Sequence, residues 1–128
     1  MPKILVIDDD SQFRGLVRRM LEDDGHEVRD ARDAKSGHEL FAAEQPDVVI
    51  TDILMPGVDG IELIRRLRHE GHTVPILAIS GGGQCPPDLY LLSSQYLGAT
   101  QTLPKPFRRE ELLNCIKKVL SAPVEQKD

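Results

Sequence analysis

The stretch Asp47-Val-Val-Ile-Thr-Asp52-Ile-Leu-Met-Pro56-Gly-Val-Asp-Gly60 decides how the rest of this sequence is interpreted. Its apolar, β-branched run, Val48 to Ile50, does not alternate with polar residues. Such a run is typical of a strand that is buried on both faces of a parallel sheet. The strand ends at the carboxylate of Asp52 and is followed by a turn rich in glycine and proline. An acidic side chain at the tip of a buried strand predicts a functional position.

Strand and helix patterns alternate along the whole chain around this stretch. Helix starts and stops are marked by capping residues and by glycine, with Ser11 as the expected N-cap of the first helix and Asp59 with Glu62 as a capping box for the third. Five alternations with short connections predict a doubly wound α/β domain with a parallel five-stranded sheet and five helices. The predicted strands are 3–7, 27–31, 48–52, 76–80 and 101–103, and the predicted helices are 11–25, 34–44, 59–70, 86–97 and 109–120. On the first helix we expect Phe13, Leu16, Val17, Met20 and Leu21 to face the core.

The composition restricts the classes of function. A chain of 128 residues predicts one domain, and a net charge of −5 argues against direct binding of nucleic acid, which requires a basic surface. No apolar run approaches the roughly 20 residues of a membrane span, and no signal peptide is recognised, so we expect a cytoplasmic protein that does not bind membranes. Cys85 and Cys115 lack metal-site spacing and are expected to be free thiols. His69 and His72 are expected to be exposed, and His38 has no evident partner.

Polar residues follow four of the five predicted strands. Asp8 and Asp9 follow the first, Asp52 ends the third, Ser80 ends the fourth and Lys105 follows the fifth. Parallel strands joined by right-handed crossovers place their carboxyl ends at one edge, so these residues should meet in one crevice. Clustered carboxylates repel one another and would hold protons unless a cation lies among them, and hard oxygen ligands suit Mg²⁺ or Mn²⁺. A carboxylate nucleophile, a divalent cation, an ammonium and a hydroxyl together predict phosphoryl transfer.

These motifs resemble the receiver domain of two-component response regulators. The resemblance rests on Asp8-Asp9, on Asp52-x-x-Met55-Pro56-x-x-Asp59-Gly60, on Ser80 and on Lys105-Pro106-Phe107, and covers roughly residues 3–120. It implies a flavodoxin-like sheet with strand order 2-1-3-4-5. We therefore expect a receiver domain over residues 1–121 and a polar C-terminal tail or linker stub over residues 122–128.

The resemblance also implies a role for each site residue. Asp52 would accept a phosphoryl group from a sensor histidine kinase or a histidine phosphotransfer protein. Asp8, Asp9, Asp52 and the main-chain carbonyl of Leu54 would bind Mg²⁺, with Asp8 acting through water. Lys105 would contact the phosphoryl oxygens and Ser80 would relay the change. The domain would catalyse only its own phosphorylation and dephosphorylation, and would switch a downstream protein or an output domain, or form a phosphorylation-dependent dimer.

One position departs from the family pattern, and two other interpretations compete. Thr102 occupies the place, three residues before the lysine, where the family usually has Tyr or Phe. Threonine has no ring to bury, so we do not expect the usual aromatic relay at this position; Tyr90 and Tyr96 are the alternative aromatic residues. A dehalogenase-like phosphatase would use Asp8 and Asp10 after the first strand instead of Asp52. A pseudo-receiver would dock its partners without phosphorylation. Asp8 to Asp10 also fit a simple acidic helix start.

Overall fold

Five strands and four helices form the part of the chain that the structure describes. The structure is a computed structural model, and it describes residues 2–52, 60–80, 98–105 and 107–121. The strands are β1 (Lys3–Ile7), β2 (Glu27–Ala31), β3 (Val48–Asp52), β4 (Ile76–Ser80) and β5 (Gln101–Pro104). The helices are α1 (Ser11–Asp23), α2 (Ala34–Glu44), α3 (Gly60–His69) and α4 (Arg109–Ser121). The helix predicted over 86–97 and the tail predicted over 122–128 lie outside the described residues.

The strands form one parallel sheet in the order β2-β1-β3-β4-β5, which confirms the predicted doubly wound α/β fold. All five residues of the central strand β3 are buried, as its non-alternating sequence predicts. β5 lies at a sheet edge, where Pro104, which cannot donate a ladder hydrogen bond, is tolerated. None of the helices in the described part has both the length and the apolar character that a membrane span requires.

The hydrophobic core consists of two layers, one on each face of the sheet. Alternate residues of β1 point to opposite faces, so that Ile4 and Val6 join one layer, and Leu5 and Ile7 join the other. The first layer packs against α1 and α4 through residues that include Val17, Leu21, Leu112, Ile116 and Val119. The second packs against α2 and α3 through residues that include Ala34, Phe41, Leu63, Ile64 and Leu67. Both faces are covered, which leaves the strand ends as the place for polar residues.

Two expectations for α1 are wrong in detail. Its N-cap is Asp10, whose side chain accepts hydrogen bonds from the amides of Gln12 and Phe13, and Ser11 is the first helical residue. Either residue type caps helices well, so the sequence leaves the choice between neighbours open. Leu16 is 51% exposed rather than packed in the core, because the stripe that contacts the sheet is narrower than the apolar stripe. The predicted N-cap of α3, Asp59, lies outside the described residues.

Candidate phosphoacceptor site

The sheet register places Asp8 beside Asp52. Ile7 of β1 is paired with Thr51 of β3, so the next residue of each chain segment is an aspartate. Asp8 and Asp52 each lie two positions after a residue of the core layer beneath α1 and α4, namely Val6 and Ile50. Side chains two positions apart in a strand point to the same face of the sheet. Their carboxylates therefore point to the same side of the sheet edge. Asp8 and Asp52 are both buried, with 2% and 7% of their surface exposed, whereas Asp9 is exposed.

Lys105 reaches the same place from the far edge of the sheet. Ser80 at the end of β4 is paired with Pro104 of β5, so Lys105 is the first residue beyond the paired ends. Its Nζ lies 3.1 Å from Asp52 Oδ2 and 3.5 Å from Asp8 Oδ2. The structure thus brings together residues that are 53 and 97 positions apart in the sequence.

Three carboxylates of the site are close enough to share a cation. One carboxylate oxygen each from Asp8, Asp9 and Asp52 lies within 4.8 Å of the others. The three ionised groups carry three negative charges, and the ammonium of Lys105 offsets one of them. An all-oxygen donor set that retains two negative charges fits a hard divalent cation such as Mg²⁺. The residues present are therefore chemically suited to that ion.

Burial and charge shift the ionisation of two of these groups. Desolvation raises the pKa of the Asp8 carboxyl above its ordinary value, although the hydrogen bond from the Asp10 amide and the charge of Lys105 oppose that shift. Desolvation alone would lower the pKa of the Lys105 ammonium, but the negative charges of Asp52 and Asp8 outweigh it and raise that pKa. The lysine is thus held in its charged form. A buried acid whose pKa is shifted by desolvation and by a charged partner is typical of functional sites.

The loop between β1 and α1 is fixed by hydrogen bonds on both sides of Asp8. Asp8 Oδ1 accepts a hydrogen bond from the Asp10 amide at 2.9 Å. The Arg14 guanidinium donates to the Asp8 main-chain carbonyl at 2.7 Å and is held by Asp30 of β2 at 3.3 Å. Sequence reasoning missed Arg14, because its position on α1 indicates only a half-exposed polar face.

An aromatic pair lies next to the lysine. Lys105 Nζ is 4.0 Å from the centroid of the Phe13 ring, within the range of a cation–π interaction. The Phe107 ring meets Phe13 edge to face, with centroids 5.6 Å apart. The sequence predicted Phe13 only as a core residue.

Several predicted residues cannot be placed in the site from the described part of the chain. Leu54 lies outside the described residues, as do Tyr90, Tyr96 and Cys85. For Ser80 the structure gives the strand position alone, at the end of β4. Thr102 is half-buried in β5 and pairs with Ala78 of β4.

The remaining polar candidates lie away from the site. Cys115 is a free thiol on α4, as predicted, and burial raises its pKa. His38 does have a partner, because its Nε2 lies 2.9 Å from Glu70 Oε1 at the end of α3. His72 Nε2 lies 3.5 Å from the same carboxylate oxygen, and its side chain is 41% exposed. His69 is exposed, as predicted.

Comparison with known proteins identifies the family. The sequence profile of the response regulator receiver domain matches residues 4–117. The chain is a response regulator receiver domain. Among solved structures, this receiver domain is similar to that of NtrX from Brucella abortus, with a TM-score of 0.87, 32% identity, and coverage of 94% of this chain and 99% of the other. It is also similar to the Vibrio cholerae chemotaxis protein CheY4, with a TM-score of 0.83, 32% identity, and coverage of 94% and 99%.

Curated relatives of the receiver domain are longer proteins. It is 40% identical over 111 residues to the response regulator MprA of Mycolicibacterium vanbaalenii, which covers 87% of this chain and 47% of the relative. The chain thus spans about half the length of the curated relatives it matches. Family membership overturns the dehalogenase-like interpretation. In agreement, the Asp10 side chain caps α1.

Proposed function

We propose that Asp52 accepts a phosphoryl group from a phosphohistidine of a sensor histidine kinase or of a histidine phosphotransfer protein. The P–N bond of the phosphohistidine breaks and a P–O bond forms to a carboxylate oxygen of Asp52. The histidine nitrogen leaves with the electron pair of the broken bond. The product is an acyl phosphate, and its hydrolysis returns Asp52 to the carboxylate. The domain acts as a switch in two-component signalling and transforms only itself.

The distance between Lys105 Nζ and Asp52 Oδ2, 3.1 Å, is the observation that carries this proposal. A phosphoryl group on Asp52 brings negative oxygens to the place where this ammonium already lies. A fixed positive charge stabilises the charge of the transferred group without reorganisation during the reaction. Asp52 is the last residue of β3 and 7% of its surface is exposed, so a phosphoryl donor can reach it.

Asp8, Asp9 and Asp52 would hold Mg²⁺, or Mn²⁺, with the Leu54 carbonyl as a further ligand and Asp8 acting through water. When bound, the cation supplies charge neutralisation for the phosphoryl oxygens. The chain's own residues prepare the pocket for it. The Asp10 amide donates to the side chain of Asp8, and the Arg14 guanidinium donates to its main-chain carbonyl.

The phosphorylated state would be relayed through Ser80, whose hydroxyl would bond the phosphoryl group and draw its loop inward. Thr102 lacks a ring, so the relay cannot work by burying an aromatic side chain at that position. The receiver unit is proposed to end at residue 121, with 122–128 as a tail or linker stub. Its readout would be a downstream protein, an output domain elsewhere in a longer chain, or a phosphorylation-dependent dimer.

Intact-protein mass spectrometry after incubation with a small acyl phosphate donor tests the proposal. We expect one phosphate per chain with Mg²⁺, none after chelation, and none on Asp52→Asn. Asp47→Asn is the matched control, because it removes an exposed carboxylate from the opposite end of the same strand. Phosphate on Asp52→Asn at the normal rate would show that another residue is the acceptor, and unphosphorylated wild type would favour the pseudo-receiver.

A further inference from the structure

We infer that the Phe13 ring positions the Lys105 ammonium for phosphoryl transfer to Asp52, an inference that rests on the proposed function. The contact is a cation over a ring face, with Nζ 4.0 Å from the centroid. The face of an aromatic ring carries negative charge density, so it attracts an ammonium. Phe13 would thus be a positioning residue, since it acts on the phosphoryl group through the lysine.

Phe13 is anchored at its main chain and packed at its ring. Its main-chain amide donates to Asp10 Oδ1 at 3.2 Å, within the N-cap of α1. Its edge meets Phe107 at an interplanar angle of 77°, and both rings pack against the core layer beneath α1 and α4. Because Phe107 lies two residues after Lys105, the segment that carries the lysine also supports the ring that the lysine contacts. Packing against Phe107 and the core layer therefore restricts the orientation of the ring face.

Lys105 needs a contact of this kind because the two carboxylates that it pairs with are also candidate ligands of a cation. Its side chain is a flexible stem, 23% exposed, and its ion-pair partners are Asp52 and Asp8. Both carboxylates belong to the group that is suited to hold a divalent cation. A cation there would compete for the same oxygens and repel the ammonium. A ring face is not a ligand of a hard cation, so the contact between Phe13 and Lys105 would persist when a cation binds the carboxylates.

Stepwise fluorination of Phe13 separates this role from simple core packing. Fluorine atoms withdraw charge from the ring face in steps, while the ring keeps its shape and its apolar character. We would incorporate mono-, di- and trifluorophenylalanine at position 13. Phe41, a phenylalanine of α2 in the opposite core layer, receives the same series as the matched control. Phe13→Leu and Phe13→Tyr complete the set.

The first measurement uses the unphosphorylated, metal-free protein. The side-chain methylene and ammonium protons of Lys105 should be shifted upfield in NMR spectra, since they lie over a ring face. We expect this shift to decrease along the fluorinated series and to vanish in Phe13→Leu, with no change in the Phe41 series. An unchanged Lys105 signal in the fluorinated proteins would overturn the inference.

The second measurement is the rate of phosphorylation by a small acyl phosphate donor with saturating Mg²⁺. We expect the rate to fall by about two- to tenfold across the Phe13 series, and Phe13→Tyr to stay near wild type. A rate that is lost in Phe13→Leu but constant through fluorination would overturn the inference in favour of packing. A graded NMR response in a protein that takes no phosphate would refute the proposed function and leave the ring contact supported.

Discussion

Replacing Asp8 by asparagine should make the metal-free protein more stable. Asp8 is 2% exposed, and desolvation raises the pKa of its carboxyl. A carboxyl whose folded-state pKa is raised contributes its stability below the unfolded pKa and loses it as the pH rises through the folded pKa. At pH 7 the ionised Asp8 therefore lowers the free energy of unfolding. Asparagine keeps an oxygen for the Asp10 amide and removes the charge.

The expected gain in stability depends on how few contacts of the Asp8 carboxylate are lost on replacement by asparagine. The hydrogen bond to Asp10, 2.9 Å long, is retained, and the contact with Lys105 is a long one of 3.5 Å. We expect the free energy of unfolding to rise by about 0.5–2 kcal/mol. For a domain of this size that gain raises Tm by about 2–8 °C.

Magnesium should reverse the order of stability. A cation that binds only the folded wild type stabilises it by about 2.7 kcal/mol at a concentration 100-fold above Kd. Asp8→Asn should gain far less, because it lacks one of the three carboxylates. Urea denaturation at pH 7, with chelator and with Mg²⁺, measures both effects.

Asp33→Asn is the matched control for that experiment. It makes the same change of charge, but hydrogen bonds with Ser36 lower the pKa of Asp33, so its removal should not stabilise the protein. A lower stability of Asp8→Asn in chelator would refute the argument from burial. Equal stabilisation of Asp8→Asn and wild type by Mg²⁺ would refute the placement of Asp8 at the metal site.

Two further substitutions test the packing and the surface electrostatics. Gly37→Ala should lower the free energy of unfolding by about 1–2 kcal/mol, since its Cβ would lie 2.5 Å from Ile7 Cδ1 in the core. Gly15→Ala, whose Cβ meets nothing within 4 Å, should instead stabilise α1. Equal effects of the two substitutions in urea denaturation would contradict this packing. The hydrogen bond with His38 lowers the pKa of Glu70, so the stability it contributes is present above the unfolded pKa of about 4.3 and is lost as the pH falls through the folded pKa. Glu70→Gln should therefore reduce the loss of stability that occurs as the pH falls. An unchanged loss of stability would show that the hydrogen bond between Glu70 and His38 does not stabilise the fold.

The fold was predictable because its strongest signals are local. Val48 to Ile50 and Ile76 to Ile79 are short apolar runs without alternation, and all of these residues are buried in strands of the parallel sheet. The meeting of Asp8, Asp52 and Lys105 followed from topology, since parallel strands end at one edge. No side-chain detail was required for either result.

The contacts around the site could not be read from the sequence. Arg14 donates to the Asp8 carbonyl and Phe13 lies under Lys105 because of the rotation of α1 on the sheet, which depends on how α1 packs against the core layer that it shares with α4. The partnership of His38 with Glu70 depends in the same way on how α2 lies beside α3. Periodicity indicates which face of a helix is apolar, but not which residue of another segment each side chain meets.

The position of the covalent phosphate is the most direct test of the central claim. After reaction with a phosphohistidine donor and Mg²⁺, borohydride reduction converts an aspartyl phosphate to homoserine, which peptide mass spectrometry can locate. The account predicts homoserine at residue 52 alone, and its absence when Mg²⁺ is chelated. Homoserine at residue 8 or 9, or equal modification without the metal, would contradict it.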